Sequence, residues 1–178
     1  MKRFFCIFLS LSIIFLASYG INCVYGYLFP IRFEKEVSDA CEAFDVEKGI
    51  VYSVINVESG FRKDVVSSKG AVGLMQILPS TAQEIALKLN IENLDLLNPE
   101  QNILIGTYYL SYLLKRFGNE KVALCAYNAG PANVLSWLKN EQYSDDGKTL
   151  KTIPVQETKN YIKKINKNKK YYSKKINA

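Results

Sequence analysis

The sequence predicts an all-α single domain behind an N-terminal segment that exports it. Apolar residues recur at helical spacing through most of residues 34–166. No stretch alternates polar and apolar residues as a half-buried strand would, and no internal repeat occurs. Between Arg3 and Arg32 lie 28 residues without a charge. The length of 178 residues suits one domain, and 48% hydrophobic content is enough for a packed core.

The first element is the apolar segment, residues 1–30, with its centre at Phe4 to Ala17. About 20 uncharged residues span a bilayer as a helix. Lys2 and Arg3 precede them, which holds the N-terminus inside and the body outside. Two export readings stay open. One is an uncleaved signal anchor spanning residues 4–28. The other is a cleaved signal peptide, for which Ser18 and Gly20 supply small residues. No strong Ala-x-Ala occurs, and Cys23 lacks a convincing lipobox. The expected location is the outer face of the cell membrane, with secretion to the wall as the alternative.

The body begins with a helix over Glu34 to Phe44, with Val37, Ala40, Cys41 and Phe44 at helical spacing. Asp45 is placed to cap the next helix, which carries Ile50, Val51, Val54, Ile55 and Val57 and stops at Gly60. Residues 61–78 are glycine-punctuated and irregular. Ser80 is expected to open a helix, with Gln83 completing a capping box. Asn98 caps a longer helix with Pro99 in its first position, and Gly118 ends it. Val122 to Asn128 is a short apolar helix closed by Gly130-Pro131, and Pro131 to Leu138 forms another. Residues 140–153 read as loop. A last helix starts at Pro154 and runs through Tyr161 and Ile165, and residues 167–178 read as a basic tail.

Charge is unevenly distributed. Glu34 to Thr158 holds 12 basic and 17 acidic residues, a balance of −5, whereas Lys159 to Ala178 holds 8 Lys and no acid. An acidic body with a basic end is not the pattern of a nucleic-acid-binding domain, and export makes that partner less plausible still. Of four cysteines, Cys6 and Cys23 belong to the export segment, while Cys41 and Cys125 allow one disulfide at most. Cys125 sits in an apolar run that suits a free buried thiol.

The chain contains no histidine, which removes Ser-His, Cys-His and His-zinc chemistry. An acid catalyst must then be a carboxylate, Tyr, Lys or Cys. Glu58 follows a run of largely apolar helical positions at a helix C-terminus. The negative end of the helix dipole and an apolar surround both favour its protonated form. The segment Gly70-Ala71-Val72-Gly73-Leu74-Met75-Gln76 describes a chain passing close to something. Ala126-Tyr127-Asn128-Ala129-Gly130-Pro131 puts an aromatic beside an amide, which suits an acetamido sugar. Taken singly, each has a plainer reading: an exposed helix-end Glu, a glycine turn, and an ordinary C-cap.

Together, Glu58-Ser59-Gly60-Phe61, Ser67, Gly-Ala-x-Gly-Leu-Met-Gln at 70–76 and Ala-Tyr-Asn-Ala-Gly at 126–130 resemble the soluble lytic transglycosylase catalytic domain in order and spacing. The Tyr-Leu-x-Tyr-Leu-Leu segment at 109–114 and Glu157-Thr158…Tyr161 are similar to that family too. The resemblance covers about residues 31–166. It implies a lysozyme-like α fold, peptidoglycan strands as substrate, and no metal or other cofactor.

The resemblance further implies that Glu58 is the single catalytic acid/base, with Ser59 supporting its helix end. Ser67, Met75 and Gln76 would line the glycan cleft. Tyr127 and Asn128 would face the scissile linkage and its acetamide. Glu157 and Tyr161 would close the cleft, with Tyr161 near the catalytic carboxyl. One carboxylate points away from ordinary glycoside hydrolysis, which uses two. Asp64 lies nearby but outside the resemblance. The expected reaction is cleavage between N-acetylmuramic acid and N-acetylglucosamine with closure of a 1,6-anhydro ring. A goose-type lysozyme-like hydrolase is the alternative, and a non-catalytic wall-binding module a remoter one. A monomer is expected, with anionic wall polymers as partners of the Lys tail.

Overall fold

The computed structural model describes residues 15–17, 19–20 and 23–176. Residues 1–31 and 32–178 form two compact units. In the first, residues 23–28 are helical, and the Tyr25 and Phe29 rings stack with centroids 6.0 Å apart. No helix of the described residues is long and apolar enough to cross a membrane. Residues 4–14, most of the expected apolar centre, lie outside the described residues.

The second unit is helical: α1 (Glu34–Phe44), α2 (Lys48–Ser59), α3 (Pro79–Leu89), α4 (Pro99–Phe117), α5 (Glu120–Ala129), α6 (Pro131–Leu138) and α7 (Gln156–Ile176). Among the described residues, extended pairing is confined to isolated antiparallel bridges between Val66 and Val72 and between Val72 and Ile77. Two helices form the core. In α2 every residue from Gly49 to Ile55 is buried, and in α5 every residue from Val122 to Ala126. Helices buried all round read as continuous apolar runs, not amphipathic stripes. The most extensive helix pairing is α2 with α7; α4 packs on α1 and α5.

Several helix ends follow the expected chemistry. The Asn98 side chain accepts the Gln101 N–H at 3.2 Å, Pro99 takes the first position of α4, and Gly118 ends it with φ 60°. Asn119 caps α5 in the same way, accepting the Val122 N–H at 3.1 Å. Three ends differ. Asp45 does not cap α2; it adopts the left-handed conformation that closes α1. The position before α2 belongs to Glu47, whose carboxylate instead accepts from Ser173 Oγ at 2.6 Å and pairs with Lys169 at 3.1 Å. The Ser80–Gln83 capping box does not form, because Pro79 is already helical and Leu78 occupies the cap position. The last helix begins at Gln156, two residues beyond Pro154.

The expected basic tail over 167–178 is corrected by the structure. Helix α7 continues to Ile176, and Thr158, Tyr161, Ile162, Ile165, Asn168 and Tyr172 form one buried stripe along it. Tyr172 is wholly buried, stacks on Tyr52 at 5.4 Å, and accepts a 2.7 Å hydrogen bond from Asn56 Nδ2. Lys169 pairs with Glu47 and, at 2.7 Å, with Glu120. The stripe keeps the helical period beneath the lysines, so composition reads as solvated tail where spacing reads as packed helix. Cys41 and Cys125 are both buried free thiols. Burial pushes each up to about 11.

Candidate active site

Glu58 stands on the last turn of α2, so the most deeply buried helix of the domain positions it. The turn is secured at its end. Ser59 is buried and its Oγ donates to the Ile55 carbonyl at 3.1 Å, while Arg62 Nε donates to the Ser59 carbonyl at 2.9 Å. Two residues on, Phe61 is buried against Tyr52 with φ 64°. A bulky residue in the left-handed region costs about 1–3 kcal/mol, which burial of the ring offsets. The strained residue turns the chain sharply out of α2 and into the 62–78 loop.

That loop forms the opposite lip of a groove and is held from beneath by Asn102 of α4. The buried Asn102 amide donates to the Val72 and Leu96 carbonyls at 3.0 and 2.9 Å and accepts the Met75 N–H at 2.8 Å. Gly73, with φ 80°, lies so close that a Cβ there would land on Asn102 and the Leu96 carbonyl. Gln76, itself at φ 50°, gives both amide hydrogens to the loop, to Val65 O at 3.0 Å and Gly73 O at 2.9 Å. Only its Oε1 remains to meet a ligand. Ser67 Oγ accepts the Ala71 N–H at 3.0 Å.

The groove has a cavity volume of about 280 Å³ at Glu58, where Ser67, Gln76, Leu78, Tyr127, Asn128 and Glu157 share the lining. Thus six sequence-derived candidates meet in one place: Glu58, Ser67, Gln76, Tyr127, Asn128 and Glu157. Tyr161 is buried beside Glu58, and its hydroxyl acts on that carboxyl. The Tyr161 hydroxyl is the one buried side-chain polar atom among the described residues without a hydrogen-bond partner. It therefore lies close to Glu58 without a formed bond.

Met75 is the exception. Its side chain is wholly buried against Gly106 of α4, where a Cβ on that glycine would collide with it, and it does not line the groove. What Met75 offers toward the site is its backbone carbonyl, which accepts the Tyr127 hydroxyl at 2.8 Å. The apolar lining residue is instead the exposed Leu78. Left-handed Gln76 stands between Met75 and Ile77, both of which point inward. Asp64 is exposed and outside the groove.

Burial pushes the Glu58 carboxyl up to about 7, and the negative charge of Glu157 adds to the effect; the Tyr161 hydroxyl opposes it. Burial likewise drives the Tyr127 and Tyr161 phenols far above their usual range, with the Glu58 charge contributing, so both stay neutral donors. Tyr127 is fixed by Met75 O on one side and the Tyr109 ring at 5.5 Å on the other. A carboxyl near neutrality beside two neutral phenols and an uncommitted amide, Asn128, can donate a proton and then take one back. Among the described residues no group of three or more His, Cys, Asp or Glu is placed to hold a metal.

The transglycosylase SLT domain family model matches residues 37–150, a span that holds Glu58, the 70–76 loop and the Tyr127–Asn128 pair. The chain belongs to the SLT transglycosylase family. A soluble lytic murein transglycosylase of Salmonella typhimurium is 35% identical over 150 residues, covering 81% of this chain and 23% of the relative. A membrane-bound lytic murein transglycosylase C of Serratia proteamaculans is 27% identical, covering 86% of this chain and 52% of the relative. An inactive mutant of the lytic transglycosylase Slt from Pseudomonas aeruginosa superposes with TM-score 0.78 at 32% identity, covering 86% of this chain and 26% of that one. The SLT chain here thus spans about a quarter of its soluble relatives and half of the membrane-bound one.

Other lining residues of this SLT domain escaped sequence reasoning: Lys69, Leu78, Asn133 and Trp137. Asn102 was missed as well, although one amide on the apolar stripe of α4 is the signal that could have found it.

Proposed function

We propose that this chain is a lytic transglycosylase that cleaves peptidoglycan between N-acetylmuramic acid and N-acetylglucosamine. What carries the reading is the Glu58 carboxyl, held near pKa 7 in a groove opposite the uncommitted Asn128 amide. Glu58 protonates the glycosidic oxygen as the bond from the muramic anomeric carbon breaks. The muramic acetamide oxygen bonds that carbon, oriented by Asn128. Glu58, now a carboxylate, takes the proton of the C6 hydroxyl, whose oxygen bonds the anomeric carbon and releases the acetamide. Holding both partners on one ring gives the step its effective molarity, and no water is consumed.

Glu157 is the second carboxylate of the groove and gives the hydrolase reading its foothold. It is exposed and paired with Lys69 at 3.5 Å, whereas Glu58 is buried and carries the raised pKa that an acid needs. Its place lets it serve as a base for water if water is admitted. Product chemistry separates the two. Released fragments are expected to end in 1,6-anhydro-N-acetylmuramic acid and to resist borohydride labelling. Borohydride-reducible muramic ends appearing in step with bond breakage would replace the transglycosylase with a hydrolase.

We further propose that residues 4–28 hold the domain at the outer face of the membrane, as a monomer. The uncharged run between Arg3 and Arg32 supports this, and so does the likeness to a membrane-bound relative. N-terminal sequencing of the mature protein is expected to find the segment attached; a start near Ile21 or Tyr27 would leave secretion. Anionic wall polymers are the proposed partners of α7, which exposes Lys159, Lys163, Lys164, Lys167, Lys170 and Lys174 without an acid after Glu157. Binding to sacculi is expected to weaken above about 0.15 M salt, where screening shortens the reach of these charges. Salt-independent binding would remove them from recognition.

A further inference from the structure

A basic pocket of about 240 Å³ lies where α5, residues 151–153 and α7 meet, and it shares no lining residue with the groove at Glu58. Lys121 reaches it from α5, Lys151 and Thr152 from the segment between, and Lys159 and Lys163 from α7. We propose that this pocket binds one phosphate group of a linear phosphodiester polyanion, whose following phosphates lie along a row of lysines on α7. The proposal rests on, and narrows, the reading of α7 as a surface for anionic wall polymers.

The lining carries the chemistry. No carboxylate is part of it, and its apolar portion is the buried pair Ile153 and Ile162. Two of the four lysines are held in place: Lys121 Nζ donates to the Leu150 carbonyl at 2.7 Å, and Lys151 pairs with Asp145. Lys159 and Lys163 are exposed and make no ion pair among the described residues. Lysines act as point charges, whereas arginine is the residue whose flat fork fits a carboxylate. Four lysines and the Thr152 hydroxyl, without an arginine, therefore suit a tetrahedral phosphate approached from several sides. The charge continues beyond the pocket. Lys159, Lys163, Lys167, Lys170 and Lys174 follow one another at steps of three or four residues, so they share one face of α7, and all are exposed. At about 1.5 Å per residue the row is about 22 Å long, a track for a chain of spaced charges rather than for a single ion. A membrane surface is the poorer match. Helices that lie on lipid set an apolar face beside their lysines, and α7 buries its apolar stripe, with Ile162, Ile165 and Tyr172, in the core.

Lysine labelling reads the pocket directly. Full-length protein in phosphatidylcholine nanodiscs is acetylated in the presence of increasing glycerol phosphate dimer or long glycerol phosphate polymer, and each lysine is followed by mass spectrometry. The dimer is expected to protect Lys159 and Lys163, and the polymer to protect Lys167, Lys170 and Lys174 as well. The Lys159→Gln and Lys163→Gln pair is expected to weaken dimer binding about tenfold, read as protection of Lys121. The Lys170→Gln and Lys174→Gln pair removes the same charge and is expected to weaken it less than about twofold. Both pairs change only exposed side chains, and thermal melts check that each variant is folded. Equal weakening by the two pairs would overturn the pocket and leave diffuse attraction to the α7 lysines standing. Poly-glutamate protecting the same lysines at the same concentration would end the preference for phosphate. Protection of Lys159 and Lys163 by nanodiscs containing phosphatidylglycerol, with no oligomer present, would hand the pocket to a lipid headgroup. No protection by any polyanion at low salt would remove the pocket and the wall-polymer reading of α7 together.

Discussion

Glu58→Gln is expected to abolish glycan cleavage while leaving the fold intact. The amide keeps the shape and much of the hydrogen bonding of the carboxyl but cannot deliver a proton. General acid/base groups contribute about 10²–10⁴-fold, and a site that depends on one carboxyl sits at the top of that range or beyond it. Wild-type turnover should fall as pH rises through about 7, because the protonated form is the one that starts the reaction. The same substitution has a second consequence. Folding raises this carboxyl from 4.5 to about 7, so the native state binds the proton more tightly than the unfolded chain does. Stability therefore declines from about pH 4.5 to about pH 7, above which the full cost of burying the charge applies. Removing the titrating group should make the inactive variant more stable than wild type at pH 8, by about 1–3 kcal/mol, and no more stable at pH 4. Glu157→Gln should lose less activity, since its carboxylate acts on Glu58 through charge alone. Thermal melts at the two pH values and a sacculus assay check all of this. A Glu58→Gln enzyme within about tenfold of wild type would end the acid role.

Tyr172→Ala is expected to lower stability by about 3–5 kcal/mol, the range for deleting a buried aromatic. The residue is wholly buried, stacked on Tyr52 and bonded to Asn56. For a domain whose total stability is about 5–15 kcal/mol, the melting temperature should fall by roughly 10 °C. Tyr172→Phe keeps the ring stack and loses about 1 kcal/mol. Cutting the chain after Asn166 removes Asn168, Lys169 and Tyr172 together and should yield protein that does not fold at physiological temperature. The effect reaches the site because α7 is a shared wall. Its second half clamps α2, which carries Glu58, and its first half carries Glu157 and Tyr161. A melting temperature within about 2 °C of wild type for Tyr172→Ala would make the last turns peripheral.

The chemistry of the site was legible because it lies in short contiguous motifs. Glu58 announces itself by a carboxylate after an apolar helical run, and Tyr127-Asn128 by an aromatic beside an amide before Gly-Pro. Helix identities were legible for the same reason: period and caps are local, as at Asn98-Pro99 and Gly118. Met75 was misplaced because motif membership says nothing of direction. Its direction is set by Gly106 of α4, distant in sequence, which leaves the room that the Met75 side chain fills.

The amino-acid order alone determined seven helices, an acid without histidine, and the segments that build the groove. Tertiary structure alone decided what those segments do to one another. The burial that lifts Glu58 to about 7 comes from helices distant in sequence, as does the Asn102 clamp beneath the loop. The pocket that joins Lys69 and Asn128 to Trp137 and Thr158 exists only where the 62–78 loop, α5, α6 and α7 converge. Whether the lysine-rich end is tail or helix is likewise decided by contact. Tyr172 stacks on Tyr52 and bonds Asn56, both on α2 and more than a hundred residues earlier. Local spacing specifies a helix, but desolvation and packing depend on which surfaces meet, and those are set by the whole chain.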